Sequence, residues 1–220
     1  MRFERKYKLN HDSVSLLMDF LISKGFSESF PDRLISSVYF DTRDLNFLQE
    51  SLDGISKRKK YRVLWYNEDL KNSRFEVKIK EEMLGRKVIS NIGTNYSINS
   101  FSDLLNSVYG VDNDPCILDQ SKYMPVLLVK YDREYYESTD GLIRATIDKN
   151  IQCGKVSSQL SSKKYSDIML VHDSVVLEFK YDDVHDDYFR SLISNDIKIR
   201  STKYSKYTNS YLIMQNAGLV

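Results

Sequence analysis

Charged residues of both signs recur two apart in several short stretches of this chain. In 73–80, Arg74, Glu76, Lys78 and Lys80 alternate with Phe75, Val77 and Ile79. In 174–181, Glu178 and Lys180 alternate with Val175, Leu177, Phe179 and Tyr181, and in 2–9 Glu4 and Lys6 oppose Phe3, Tyr7 and Leu9. The pattern extends to 57–66, where Arg58, Lys60 and Arg62 oppose Tyr61, Val63 and Trp65, and to 142–149, where Arg144, Thr146 and Asp148 oppose Ile143, Ala145 and Ile147. Residues two apart share one face of a strand, so each stretch has a core face and an ionic face. Arginine's planar fork matches phosphate oxygens. A carboxylate beside it suits Mg²⁺ or Mn²⁺, which bind through one or two carboxylates plus substrate oxygens. The chemistry indicated is the holding of a polyanionic phosphate with a divalent metal. A solvated antiparallel face would also carry both signs; arginine in strand interiors and the repeated Glu-x-Lys pairing favour a ligand.

Alternation predicts about eight strands, at 2–9, 34–41, 57–66, 73–80, 86–91, 126–137, 142–150 and 174–182. That number is enough to close a barrel with alternate residues inside. Residues 11–24 read as a packing helix with Asp12 or Ser13 as N-cap, Leu16, Leu17, Phe20 and Leu21 at helical spacing, and Gly25 as the stop. Weaker helical patterns cover 100–108, 185–195 and 205–217, the last with Tyr207, Tyr211, Leu212 and Met214 on one side. The Ser/Lys-rich stretch 154–167 reads as a mobile loop. The expected fold is α+β: an antiparallel eight-stranded β-tunnel with packing helices outside, in one domain over 1–220.

The 32 basic and 31 acidic residues leave a charge of +1, so no global basic field drives nucleic-acid binding. Aromatics fall mostly on the core side of the basic strands and form no exposed stacking platform. Cys116 and Cys153 lack the spacing of a disulfide framework or thiolate metal site. His11, His172 and His185 lack metal-ligand spacing and read as surface residues. No long apolar run or leader is visible, which favours a cytoplasmic protein whose membrane attachment, if any, comes through a partner.

In order along the chain, FERKYKL (3–9), SVYFDT (37–42), KRKKYRVLWY (57–66), FEVKIK (75–80), VKYDREYYES (129–138), LIRATID (142–148), VVLEFKY (175–181) and TKYSKY (202–207) resemble the motifs of the triphosphate tunnel metalloenzymes. Within that CYTH-like superfamily they are similar to the VTC-type domain of polyphosphate polymerases. The resemblance implies that Lys6, Arg62, Lys78, Arg133, Arg144 and Lys206 line the tunnel and hold the triphosphate or the polyphosphate product. It implies Glu178 as the metal-binding glutamate, with Mn²⁺ or Mg²⁺ as cofactor, Lys203 near the tunnel mouth, and Lys87 in GRKVIS as a further phosphate contact. The strand faces add Arg58, Lys60, Lys80 and Lys180 as phosphate-binding candidates. Glu4, Glu76 and Asp148 stay open between metal ligand and ion-pair partner, with the partner that orients Arg144 the favoured reading for Asp148. Lys57 and Lys59 face away from Arg58 and Lys60.

The sequence departs from the family's pattern at Leu64, where a second tunnel arginine is common. Arg2 stands where related triphosphatases carry the first Glu of an opening Glu-x-Glu-x-Lys, which favours the polymerase branch. The resemblance therefore implies a metal-dependent enzyme that transfers the γ-phosphate of ATP to a growing polyphosphate chain. Hydrolysis of tripolyphosphate or nucleoside triphosphates, with Glu4 or Glu76 orienting water, is the rival activity, and Leu64 motivates a noncatalytic polyphosphate-binding module as the third reading.

Overall fold

The structure is a computed structural model and describes residues 2–81, 84–91, 101–109, 118–156, 170–194 and 200–220. Alternating apolar and polar residues form β1 (Arg2–Leu9), β2 (Phe26–Thr42), β3 (Arg58–Tyr66), β4 (Asp69–Glu81), β5 (Leu84–Ser90), β6 (Tyr123–Ser138), β7 (Ile143–Lys155), β8 (Leu170–Val171) and β9 (Val175–Asp182). The helices are α1 (Val14–Ser23), α2 (Asn46–Leu52), α3 (Phe101–Asn106), α4 (Asp186–Phe189) and α5 (Lys206–Asn216). The nine strands hydrogen-bond in the order β1-β9-β7-β6-β2-β3-β4-β5, with β8 on β7. The sheet is mostly antiparallel, and its pairing order runs from β1 to β5. The α+β sheet expected from the sequence is thus present. It gains the two-residue β8 and an earlier start for β2, at Phe26. Of the loop expected over 154–167, Gly154 and Lys155 end β7, while residues from 157 onward, like Cys116, lie outside the described residues.

The chain forms two compact units. The first comprises residues 1–33, 131–151 and 172–205. Its core gathers Tyr7, Leu9, Tyr136, Ile143, Ala145, Ile147, Val175, Leu177, Phe179 and Tyr181, the apolar faces of β1, β6, β7 and β9. α1 adds Leu17 and Leu21, at helical spacing; Leu16 is instead exposed. A 3-10 turn, His11–Ser13, leads into α1, and Ser13 at its N-cap makes no side-chain cap bond. α1 gives way to Gly25 at φ 77°, a left-handed conformation that favours glycine. The Gly25 carbonyl accepts the Thr139 hydroxyl at 2.7 Å. α4 docks through Phe189, which stacks on Tyr181 at 4.3 Å, while the Arg5 guanidinium donates to Asp186 at 2.7 Å.

The second unit comprises residues 34–130, 152–171 and 206–220. Val38, Phe40, Tyr61, Val63, Trp65, Phe75, Val77 and Leu128 form its core with Leu104 from α3. α2 has no counterpart in the sequence reading. It is set by the fully buried Asp41, whose carboxylate accepts the backbone N–H groups of Phe47 and Leu48 at 3.0 and 2.9 Å and so fills donors that a helix start leaves open. Asp41 also accepts the Tyr207 hydroxyl at 2.6 Å, and Tyr39 stacks on Tyr207 at 5.1 Å, which fastens α5. Burial and the Asp41 charge push the Tyr207 phenol far above its ordinary range. Tyr207 and Met214 are buried as the helical pattern predicts, but Leu212 lies at the exposed edge. Among the described residues no helix is long and apolar enough to cross a membrane.

Candidate functional site

In the first unit, three antiparallel strands place their ionic faces in register. β1 pairs with β9 and β9 with β7, so Lys6, Glu178 and Thr146 form one cross-strand row. Glu4, Lys180 and Arg144 form the next, and Lys8, Val176 and Asp148 flank the first on its other side. Residues opposite each other on neighbouring strands lie close enough to interact directly. Glu178 is only 4% exposed. The Lys6 ammonium lies 3.8 Å from Glu178 Oε2 and 3.1 Å from Glu4 Oε1, and the Lys180 ammonium lies 2.7 Å from Glu178 Oε1. That last approach lacks the alignment of a hydrogen bond, so Oε1 keeps no hydrogen-bond partner among the described residues.

Burial alone would raise the Glu178 pKa, but Lys6 and then Lys180 outweigh it and hold the carboxyl well below the usual carboxylate range. Burial likewise works against charge on Lys6, yet Glu178 and Glu4 raise its pKa above the ordinary lysine value. Both groups are therefore charged at neutral pH. The segment before α5 braces this row: the Thr202 N–H donates to the Lys6 carbonyl at 2.8 Å, and Lys6 Nζ donates to the Tyr204 carbonyl at 3.4 Å.

Arg133, on β6, grips Asp148 with its fork, Nε to Oδ1 at 2.5 Å and the terminal nitrogen to Oδ2 at 2.8 Å. Burial opposes the guanidinium charge, but Asp148 raises the Arg133 pKa well above the ordinary value. Asp148, expected from the sequence to orient Arg144, is instead engaged by Arg133. Arg144 is largely exposed and lies 3.7 Å from Glu137 instead.

In the second unit, β3, β4 and β5 assemble a more strongly basic face. Cross-strand pairs join Arg58 to Lys80, Lys60 to Lys78, Arg62 to Glu76 and Leu64 to Arg74, and Lys78 continues to Lys87. Glu76 is 4% exposed and both its oxygens are taken, Oε2 by Arg62 at 2.6 and 3.0 Å and Oε1 by Lys87 at 2.9 Å. Burial raises its pKa, but Arg62 and Lys87 bring it below the ordinary value. Of the two roles open to Glu76, these contacts fill the ion-pair one. Arg58 turns its guanidinium onto the Ile55 carbonyl at 2.7 Å. Lys57 and Lys59 are exposed. Lys203 is exposed in the segment leading to α5, and Lys206 opens that helix.

The residues fit a divalent cation at Glu178. Its Oε1 is buried and has no aligned hydrogen bond, only the Lys180 ammonium at 2.7 Å, and Glu4 is a second carboxylate on the Lys6 ammonium. Among the described residues no group of three or more His, Cys, Asp or Glu could hold a metal. A cation held by Glu178 would take most of its ligands from water and substrate oxygens.

Two features escaped the sequence reading. In the sequence Thr146 is only one member of a strand face. His172, expected at the surface, is 2% exposed and its Nδ1 lies 3.2 Å from the Tyr204 hydroxyl. Solitary polar residues carry no periodic signal of burial, so only the packing revealed them.

The sequence matches the family model described as the VTC domain over residues 1–215. Among solved structures, a candidate adenylate cyclase from Vibrio parahaemolyticus superposes with a TM-score of 0.53 at 14% identity, over 96% of this chain and 97% of that one. A candidate adenylyl cyclase from Hippeastrum, described as having a dominant triphosphatase activity, gives 0.54 at 14% identity over 100% and 97%. The PH1819 protein from Pyrococcus horikoshii OT3 gives 0.50 at 11% identity over 97% and 99%. No curated protein matches the sequence. At these identities the structural matches establish the fold.

Proposed function

Because the chain belongs to the VTC domain family, we propose that it is a metal-dependent polyphosphate polymerase that transfers the γ-phosphate of ATP to the end of a polyphosphate chain. The observation that carries the reading is the row Lys6–Glu178 with Lys180 and Arg144 beside it: a buried, ionised carboxylate surrounded by cations on one strand face. Phosphoryl transfer is served mainly by positioning and by neutralising charge on the moving group. A terminal polyphosphate oxygen is already anionic, so it attacks the γ-phosphorus without a general base. The bond from that phosphorus to the β-phosphate bridging oxygen breaks, and ADP departs.

Lys6, Arg133, Arg144 and Lys180 in the first unit are the proposed phosphate contacts there. Arg62, Lys78, Lys60, Lys80, Arg58 and Lys87 are those of the second, with Lys203 and Lys206 near α5. Arg133 is held in one orientation by Asp148, and Arg62 by Glu76, so neither must be ordered when phosphate binds. Glu178, with Glu4 nearby, would hold a divalent cation, Mn²⁺ or Mg²⁺, whose charge would offset that of the phosphate groups. The reading carries with it a single functional domain over 1–220, a cytoplasmic setting, and any membrane contact through a partner. The triphosphatase description of the Hippeastrum protein supports hydrolysis as the second reading.

The test is incubation of purified protein with ATP and Mn²⁺ or Mg²⁺, with and without a short polyphosphate primer, followed by gel sizing and assay of orthophosphate. Metal-dependent long chains are the expected result. Orthophosphate alone would replace the polymerase with a triphosphatase, and polyphosphate binding without either product would leave a binding module.

A further inference from the structure

Thr146 stands on β7 directly across from Glu178 on β9. Its side chain is 9% exposed, and Oγ1 has no hydrogen-bond partner among the described residues. Glu178 Oε1, its cross-strand neighbour, also lacks an aligned hydrogen bond, although the Lys180 ammonium lies 2.7 Å from it. Leaving a buried hydroxyl or carboxylate oxygen without a hydrogen bond is costly, and such groups are rare in folded proteins. Valine would fill the same strand position with the same branching and no buried hydroxyl. The hydroxyl is therefore not needed to build the sheet.

We propose that Thr146 helps to hold a hydrated divalent cation, with Glu178 Oε1 as the direct ligand and Thr146 Oγ1 accepting a hydrogen bond from a water on that cation. The inference rests on the assignment of Glu178 as the metal residue and adds a residue to it. Mg²⁺ and Mn²⁺ keep several of their waters when protein-bound, and those waters are strong donors that need acceptors. Close to Glu178 stand the ammonium groups of Lys6 and Lys180, which are donors only, and the Glu4 carboxylate, which Lys6 already engages. A threonine hydroxyl has two lone pairs and a rotating proton, so it accepts from a cation-bound water and donates onward to a phosphate oxygen. It would act as a positioning residue, fixing the cation's hydration shell rather than touching the transferred phosphorus.

The experiment is a Mn²⁺ titration of the full chain, alone and with inorganic tripolyphosphate, read by electron paramagnetic resonance and water-proton relaxation rather than turnover. Thr146→Val should raise the Mn²⁺ dissociation constant about 10-fold, at the low end of what such supporting partners contribute, while Thr146→Ser should stay within about 3-fold of the parent. Thr146→Val should melt no lower than the parent, since it removes an unsatisfied buried hydroxyl. Parental Mn²⁺ affinity in Thr146→Val, with affinity lost in Glu178→Gln, would overturn the role of Thr146 alone. Equal losses in the Val and Ser variants would assign the effect to packing and overturn it too. Undiminished binding in Glu178→Gln, or none in the parent, would remove the metal assignment on which the proposal rests.

Discussion

Arg133 and Asp148 are joined by a forked, two-point contact between neighbouring strand faces, and the aspartate is fully buried. The carboxylate fixes both the charge and the direction of the guanidinium. Removing one member of such a pair leaves the other buried without its counter-charge. Asp148→Asn should therefore destabilise the protein by about 3 kcal/mol, measured by urea denaturation, and raise the apparent KM for ATP. Unchanged stability and KM would show that Arg133 does not depend on Asp148.

Arg62 and Lys59 stand on opposite faces of β3. Arg62 is paired with Glu76 on the basic face, whereas Lys59 is exposed and registers with Ile79. Arg62→Ala should weaken polyphosphate binding about 10-fold, the loss of one charge-assisted contact, and Lys59→Ala less than about 2-fold. Fluorescence anisotropy with labelled polyphosphate would read both, and equal losses would reject the facial assignment.

Leu64 occupies the position where an arginine is common in the resembling motif, but it is 2% exposed and registers with Arg74. Installing a guanidinium there buries charge opposite another cation. Leu64→Arg should lower stability by about 3 kcal/mol and leave phosphate affinity no better than the parent's. Tighter binding at full stability would show that the site has room for the missing arginine.

Glu178 and Glu76 share a response to acid. Burial favours their neutral forms, but Lys6 and Lys180 around one, and Arg62 and Lys87 around the other, depress both below the ordinary glutamate value of 4.5. The unfolded chain then takes up protons before the folded one as pH falls. Their stabilising contribution is complete above the unfolded value and is lost as pH drops through the folded values. Urea midpoints should hold level from pH 7 to about pH 5 and fall below about pH 4.5, with a shallower fall in Glu76→Gln. A fall of the same steepness in that variant would remove Glu76 from the acid response.

Period-two sorting by itself determined which residues share a face, because a strand turns alternate side chains to opposite sides whatever it pairs with. Lys6, Glu178, Arg144, Arg62, Glu76 and Lys78 were legible as ionic-face residues for that reason, as were the cores behind them. The matching order of motifs brought the family within reach of the sequence. Only the tertiary structure decided which charges meet. Lys6 and Glu178 are far apart in the chain, and their register across β1 and β9 follows from pairing that alternation does not specify. The same limit gave Asp148 to Arg144, its neighbour on β7, when the β6–β7 faces deliver it to Arg133. Buried single polar groups such as Asp41, His172 and Thr146 leave no periodic trace, because their burial depends on what folds over them rather than on their own segment.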